Sequence, residues 1–152
     1  MVRLSCRAVV VWVGLCLASG LAWADSPSKL VLSTPVVPLG NVDPTMSPVD
    51  FVGALSATVR SSAKWALVAQ ALGDFRAPDG TTVPIGRLSW RTQGGNFTSF
   101  ATTSQTVATG DGRANRGEGK ADVTFDLRLD VQWLDSPGSY TATLVFTLVE
   151  GG

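Results

Sequence analysis

The stretch DVTFDLRLDVQW, residues 122–133, decides the fold of this chain, because apolar and polar side chains alternate along its whole length. Successive side chains of a β-strand point to opposite faces, so the pattern predicts a strand with one buried and one solvated face. A helix would scatter the same apolar residues around its circumference. The predicted buried face consists of Val123, Phe125, Leu127, Leu129, Val131 and Trp133.

A second alternating run, SYTATLVFTLV, follows at residues 139–149 after the sequence Asp135-Ser136-Pro137-Gly138. Pro followed by Gly is typical of a type II turn, so we expect the two runs to form an antiparallel hairpin. Tyr140 opens the second run, as corner tyrosines do in immunoglobulin-like domains, where the hydroxyl bonds back to nearby backbone. An ordinary aromatic residue at a strand end is the alternative.

Shorter strands are predicted upstream, separated by frequent Gly, Pro, Ser and Asn residues. Residues 63–72 fit either a helix or a strand, and the strand, with Trp65 on its apolar face, agrees better with its neighbours. The other expected strands cover residues 29–37 with a break at Pro35, 51–60, 81–85, 87–91, 96–100 and 105–108. So many short strands predict an all-β, antiparallel, immunoglobulin-like β-sandwich, with a closed β-barrel as the alternative.

Residues 1–24 have the features of a signal peptide. Arg3 and Arg7 precede an apolar run, and Ala22-Trp23-Ala24 forms a cleavage signal that places the cut near Ala24–Asp25. An uncleaved membrane anchor is the alternative, although the run is shorter than the ~20 residues that a spanning helix needs. We therefore expect a single domain over residues 25–152, without a transmembrane segment, secreted to the bacterial cell surface or periplasm.

The amino-acid composition disfavours several classes of function. The chain has 12 basic and 12 acidic residues and no His. Neutral charge disfavours binding to nucleic acid, and the lack of His removes the commonest general base and zinc ligand, so we expect no enzyme, cofactor or metal. Two alternatives compete with an ordinary solvated strand face: a glycosidase carboxylate pair among Asp122, Asp126 and Asp130, and calcium ligation by Asp111, Glu118 and Asp122.

Aromatic residues in the middle of the chain are candidate ligand contacts. Trp90, Phe97 and Phe100 flank a polar stretch and could form a platform on which sugar rings stack, although each also fits an inward-facing core position. Trp65 and Trp133 continue the apolar faces of their predicted strands, so we expect both in the core.

Two patches resemble a known family. Trp65-Ala66-Leu67 is a W-x-L triplet, and the run YTATLVFTL at residues 140–148 resembles the closing strand of bacterial WxL-type surface domains, with Phe146 in place of the second tryptophan. The ending, with Tyr140, Leu144 and Leu148, is also similar to secreted fimbrial and spore-coat-type subunits. The resemblance implies a cell-envelope β-sandwich that attaches to wall polymer or to other surface proteins.

Three functions follow from these expectations. The first is a structural or adhesive envelope protein that binds cell-wall polysaccharide or other surface proteins. The second is a fimbria-type subunit that forms a homo-oligomer or fibre by strand addition, with residues 25–37 as the donor arm and Leu30, Leu32 and Val36 as its pocket-filling side chains. The third is a carbohydrate-binding module that uses the Trp90, Phe97 and Phe100 platform.

Overall fold

The computed structural model describes residues 4–13, 28–112 and 119–151, which fold as a β-sandwich. Short 3-10 helices cover Pro44–Met46 and Ile85–Arg87. The strands, in chain order, are β1 (Leu4–Val13), β2 (Lys29–Leu32), β3 (Val36–Val37), β4 (Asn41–Val42), β5 (Val49–Arg60), β6 (Lys64–Ala71), β7 (Phe75–Arg76), β8 (Thr82–Val83), β9 (Leu88–Thr92), β10 (Thr98–Ser99), β11 (Gln105–Asp111), β12 (Lys120–Leu129) and β13 (Ser139–Gly151).

The strands form two sheets that remain open at their edges, so the predicted sandwich is confirmed and the closed barrel is wrong. The first sheet runs β11–β6–β13–β1–β3, with β4 beside β1 and β7 beside β13, and the second runs β10–β9–β12–β5–β2. Within the described chain, only the β1–β13 pair is parallel. None of the helices in this part of the chain is long and apolar enough to cross a bilayer.

Alternation explains how the sheets pack. The inward residues of β13 are buried from Tyr140 to Leu148, and those of β6 are buried from Trp65 onward, which confirms that residues 63–72 form a strand. Phe125 of β12 and Phe146 of β13 meet at the centre of the sandwich, with ring centroids 5.6 Å apart. Each strand therefore turns one apolar stripe toward the facing sheet, where burial of aliphatic and aromatic area stabilises the pair.

The predicted hairpin between residues 122–133 and 139–149 is wrong. β12 pairs with β5 and β9 in the second sheet, whereas β13 pairs with β6 and β1 in the first. The connecting segment crosses the end of the sandwich, and its turn closes between Gln132 and Asp135 rather than at Pro137-Gly138. Trp133 lies on this turn and is 65% exposed, so its predicted core position is also wrong.

Two other local predictions are confirmed. The Tyr140 hydroxyl donates to the backbone carbonyl of Ser136 at 2.8 Å, four residues upstream, as a corner tyrosine does. The predicted strand is interrupted at Pro35. Its first half is β2, which pairs with β5 in the second sheet, and its second half is β3, which pairs with β1 in the first sheet. This change of sheet places residues 28–37 along one side of the sandwich.

Candidate functional site

The most distinctive feature is the position of β1 in the first sheet. Its backbone lies between β13 and β3, parallel to β13 at seven registered positions from Ser139 to Phe146. On its other side it pairs antiparallel with Val36–Val37 and Asn41–Val42. In this sheet order, β13 therefore meets β3 and β4 only through β1.

The strand order identifies this position. In immunoglobulin-like sandwiches one sheet runs A-B-E-D and the other contains C-F-G. Here β2–β5–β12–β9 has the first order and β6–β13 supplies C and F, with β11 as an additional edge strand. The place of strand G, normally the last strand of the chain, is held by β1, which precedes every other described strand. The described strands downstream of residue 28 thus contribute six of the seven positions A to G.

The walls of the G position are buried and apolar. On one side β13 carries Tyr140, Ala142 and Leu144 into the core, and on the other Val37 and Val42 are each 3% exposed. These side chains stay buried only when a strand at the G position, or another neighbouring segment, excludes water from them. Their burial matters because the burial of apolar area is the main stabilising contribution. An extended segment with alternating apolar residues is the kind of ligand that suits such a position.

The residues predicted to form a donor arm lie elsewhere. Leu30 is buried in this chain's own core, and Leu32 packs against that core from β2, which pairs with β5. Val36 pairs with β1 and is 40% exposed. In this chain residues 28–37 thus pair within their own domain, as β2 beside β5 and β3 beside β1, and the donor arm stays a prediction. Residues 25–27 and the predicted cleavage site lie outside the described residues.

The predicted sugar platform is not formed. Trp90 and Phe100 are 9% and 3% exposed and pack on one another, with Trp90 also against Phe125 inside the sandwich. Their alternation with polar neighbours places them on the inner face of β9 and its adjoining loop. Phe97 lies apart on the outer face, so the three rings share no exposed surface.

Phe97 instead joins a polar cluster on the outer face of the second sheet. The guanidinium carbons of Arg91 and Arg128 lie 4.4 and 4.0 Å from its ring centroid. Arg128 forms a two-pronged ion pair with Asp50 at 2.6 and 2.8 Å, and this hydrogen bonding lowers the pKa of Asp50. Arg91 donates to Asp126 at 2.9 Å. Each charge is thus already paired, as in a solvated structural face.

The aspartates of β12 are likewise already engaged by hydrogen bonds within the protein. Asp126 also accepts from the backbone N–H of Gly53 at 2.8 Å, and that bond is the main cause of its lowered pKa. The pKa of Asp122 is lowered chiefly by a hydrogen bond from Thr58. A general acid for glycoside hydrolysis needs a raised pKa, so these carboxylates fit a structural role better.

The proposed calcium ligands are only partly visible. Glu118 lies outside the described residues, while Asp122 is engaged by Thr58 at 2.6 Å and Lys120 at 2.9 Å. Among the residues that the structure describes, no three metal-ligating side chains cluster together.

The residues of the two resembling patches are core residues. Trp65 and Leu67 point inward from β6, and Tyr140, Leu144, Phe146 and Leu148 point inward from β13. The two strands pair directly, with Leu148 opposite Leu67. Their shared role here is packing between paired strands of the first sheet.

Two contacts were missed by sequence reasoning. Gly110 lies opposite Trp65 in the β11–β6 pair, and the indole ring fills the space that a Cβ atom would need. Gly53 adopts a φ of 62° at an irregularity of β5, where Asp126 binds its N–H. Both glycines resemble ordinary turn or strand residues in the sequence, because the atoms that demand them are distant along the chain.

Comparison with known proteins adds no relative: no protein-family model matches the chain, and no curated protein sequence matches it.

Proposed function

We propose that this chain is a non-enzymatic structural protein of the bacterial cell envelope, which joins other surface proteins by accepting a β-strand at the G position. The observation that supports this proposal is the overlap of β1 with the predicted leader. Cleavage near Ala24–Asp25 would remove residues 4–13 and leave the G position between β13 and β3 open. A strand from a partner would then take the place of β1 in the exported protein.

The energetics favour filling the position. β1 is registered with β13 at seven positions. At roughly 1 kcal/mol of net stabilisation per backbone hydrogen bond, such a ladder contributes several kcal/mol. That is a large part of the roughly 5–15 kcal/mol that typically stabilises a domain. An open G position also leaves unpaired N–H and C=O groups beside buried apolar residues, and such an edge readily recruits a strand.

The donor strand belongs to a different polypeptide. Residues 28–37 already form β2 and β3 of the same domain, so a second copy of the exported chain has no such arm to give without unfolding its own strand A. This favours a one-to-one complex with another surface protein over a fibre made of this chain alone.

The test compares the full chain with a chain beginning at Asp25. We expect the shorter chain to unfold at a lower temperature, and to associate or aggregate at micromolar concentration. A synthetic peptide of residues 4–13 should restore its stability in a concentration-dependent way, as binding to the folded state requires. A matched peptide with Val11→Pro, which lacks one backbone N–H, should be much weaker.

One outcome would contradict the proposal. If the chain beginning at Asp25 is monomeric, as stable as the full chain and indifferent to the peptide, the G position needs no donor. The envelope-extracted protein provides the second measurement, since a complex with another envelope protein that survives gel filtration and dissociates on denaturation is expected.

A further inference from the structure

A row of three cations crosses the outer face of the second sheet. Lys29 of β2 lies directly opposite Arg60 of β5, and Arg60 lies directly opposite Lys120 of β12. Adjacent strands are about 4.8 Å apart, so the three side chains start within roughly 10 Å of one another. Like charges in directly opposed positions of a sheet repel one another, and the ion pair with Asp122 offsets part of this repulsion at Lys120.

The row borders a groove. Lys29, Arg60 and Lys120 line it together with Val31 and Thr58, and its volume is about 380 Å³. Val31 is 44% exposed and gives the groove an apolar floor. The groove is open to solvent and three of its five lining residues are cations, so it suits a charged group at the protein surface rather than an enclosed apolar ligand.

Carboxylates lie near the row: Asp122 beside Lys120, and Glu150, which accepts from Ser28 and Ser61, the chain neighbours of Lys29 and Arg60. Asp122, which does not line the groove, accepts from Thr58 at 2.6 Å and pairs with Lys120 at 2.9 Å. Neither Lys29 nor Arg60 forms an ion pair within the described parts of the chain. Of the five residues that line the groove, three carry a positive charge and none a negative one, although the chain as a whole has no net charge.

We propose that this groove binds an oxyanion, a phosphate or carboxylate group carried by an anionic polymer of the cell surface. Arg60, at the centre of the row, presents a planar fork of donors that matches such a group, and Lys29 and Lys120 add a charge on either side. A bound oxyanion relieves the repulsion along the row, so binding and stabilisation occur together. This site is independent of the G position, which lies in the other sheet.

The experiment uses the full chain and measures melting temperature and binding with inorganic phosphate, polyphosphate, polygalacturonate and neutral dextran. Sodium chloride at equal ionic strength separates specific binding from screening. We expect stabilisation by the anions beyond that of sodium chloride, and none by dextran. Tighter binding of a polymer than of free phosphate supports the polymer as the source of the group, and equal binding overturns that assignment in favour of the free anion.

Three variants localise the effect. Arg60→Gln should weaken anion binding about tenfold, since a charge-assisted hydrogen bond is lost. Arg76→Gln is the matched control, because it removes an exposed cation on a strand of the first sheet, and it should bind as the original chain does. Asp122→Asn should bind more tightly, because it removes the neighbouring negative charge. Absence of binding to every anion, or equal losses in Arg60→Gln and Arg76→Gln, would overturn the proposal.

Discussion

Substitution of Gly110 by Ala tests the packing of β11 against β6. A Cβ atom at this position would lie 2.6 Å from Cε2 and 2.8 Å from Nε1 of Trp65, whose side chain is buried. Carbon atoms in favourable contact are about 3.5–4.0 Å apart. The indole ring or the β11 backbone must therefore move by roughly 1 Å to restore such a separation.

The cost follows from two opposing effects. Overpacking of a well-packed core typically costs about 1–3 kcal/mol. Replacement of Gly by Ala also restricts the unfolded chain, which returns about 0.4–1 kcal/mol. We therefore expect Gly110→Ala to lower the free energy of unfolding by about 1–2 kcal/mol. For a chain of this size, each 1 kcal/mol lowers the melting temperature by about 2–4 °C.

The assay is urea unfolding followed by tryptophan fluorescence, with Gly73→Ala as the matched control. A Cβ atom at Gly73 meets nothing within 4 Å, so its substitution should leave stability unchanged or slightly raised. When Trp65→Leu is already present, the cost of Gly110→Ala should nearly vanish, because the ring that opposes the methyl group is gone. Equal effects at positions 73 and 110, or an unchanged cost in the presence of Trp65→Leu, would refute the packing argument.

Further predictions address the turn, the corner and the charged face. Trp133→Ala should change the free energy of unfolding by less than about 0.5 kcal/mol, because the ring is exposed. Trp90→Ala should lower it by about 3–5 kcal/mol, because the ring is buried. Urea unfolding measures both changes. Tyr140→Phe should lower the free energy of unfolding by about 1 kcal/mol, which is the contribution of one hydrogen bond. An unchanged urea midpoint would contradict a stabilising role for the hydrogen bond of the Tyr140 hydroxyl. The pKa of Asp50 is lowered below its ordinary value of 3.8, so the unfolded chain binds protons more readily and stability falls as the pH drops below about 3.8. Arg128→Gln should make that acid-induced loss shallower, as urea midpoints between about pH 6 and pH 2 would show.

Alternation along the chain was sufficient to predict which residues are buried in the long strands. The inward residues of the 140–148 run lie in the core, and residues 63–72 form the predicted strand. The partner of each strand was not predictable in the same way. An inward stripe on β12 and another on β13 is compatible with a hairpin in one sheet or with strands in facing sheets, and Phe125 and Phe146 meet in the second arrangement.

Predictions for single aromatic residues depended on the face that each side chain takes and on where the strand ends. Trp90 lies between the polar residues Ser89 and Arg91 and turns inward, so its core position is confirmed. Trp133 continues an apolar pattern after β12 has ended at Leu129, so it lies on a turn instead. The composition of a neighbourhood cannot reveal where a strand ends or which face is covered.

The candidate site was hidden for a different reason. Residues 4–13 include Arg7 and the start of the apolar run and have the composition of a leader, but β-branched residues such as Val9 and Val11 suit a strand equally well. Its place between β13 and β3 depends on how the other strands of the first sheet are arranged. The cationic row depends likewise on strand register, since Lys29, Arg60 and Lys120 are far apart in sequence.

Amide hydrogen exchange of the chain beginning at Asp25 tests the central claim most directly. Without a donor, those amides of residues 139–146 of β13 that face the G position should exchange much faster than residues 125–129 of β12, whose neighbours on both sides remain. Addition of the peptide of residues 4–13 should slow exchange in β13 and leave β12 unchanged. Slow exchange across β13 with no added strand would contradict an open G position.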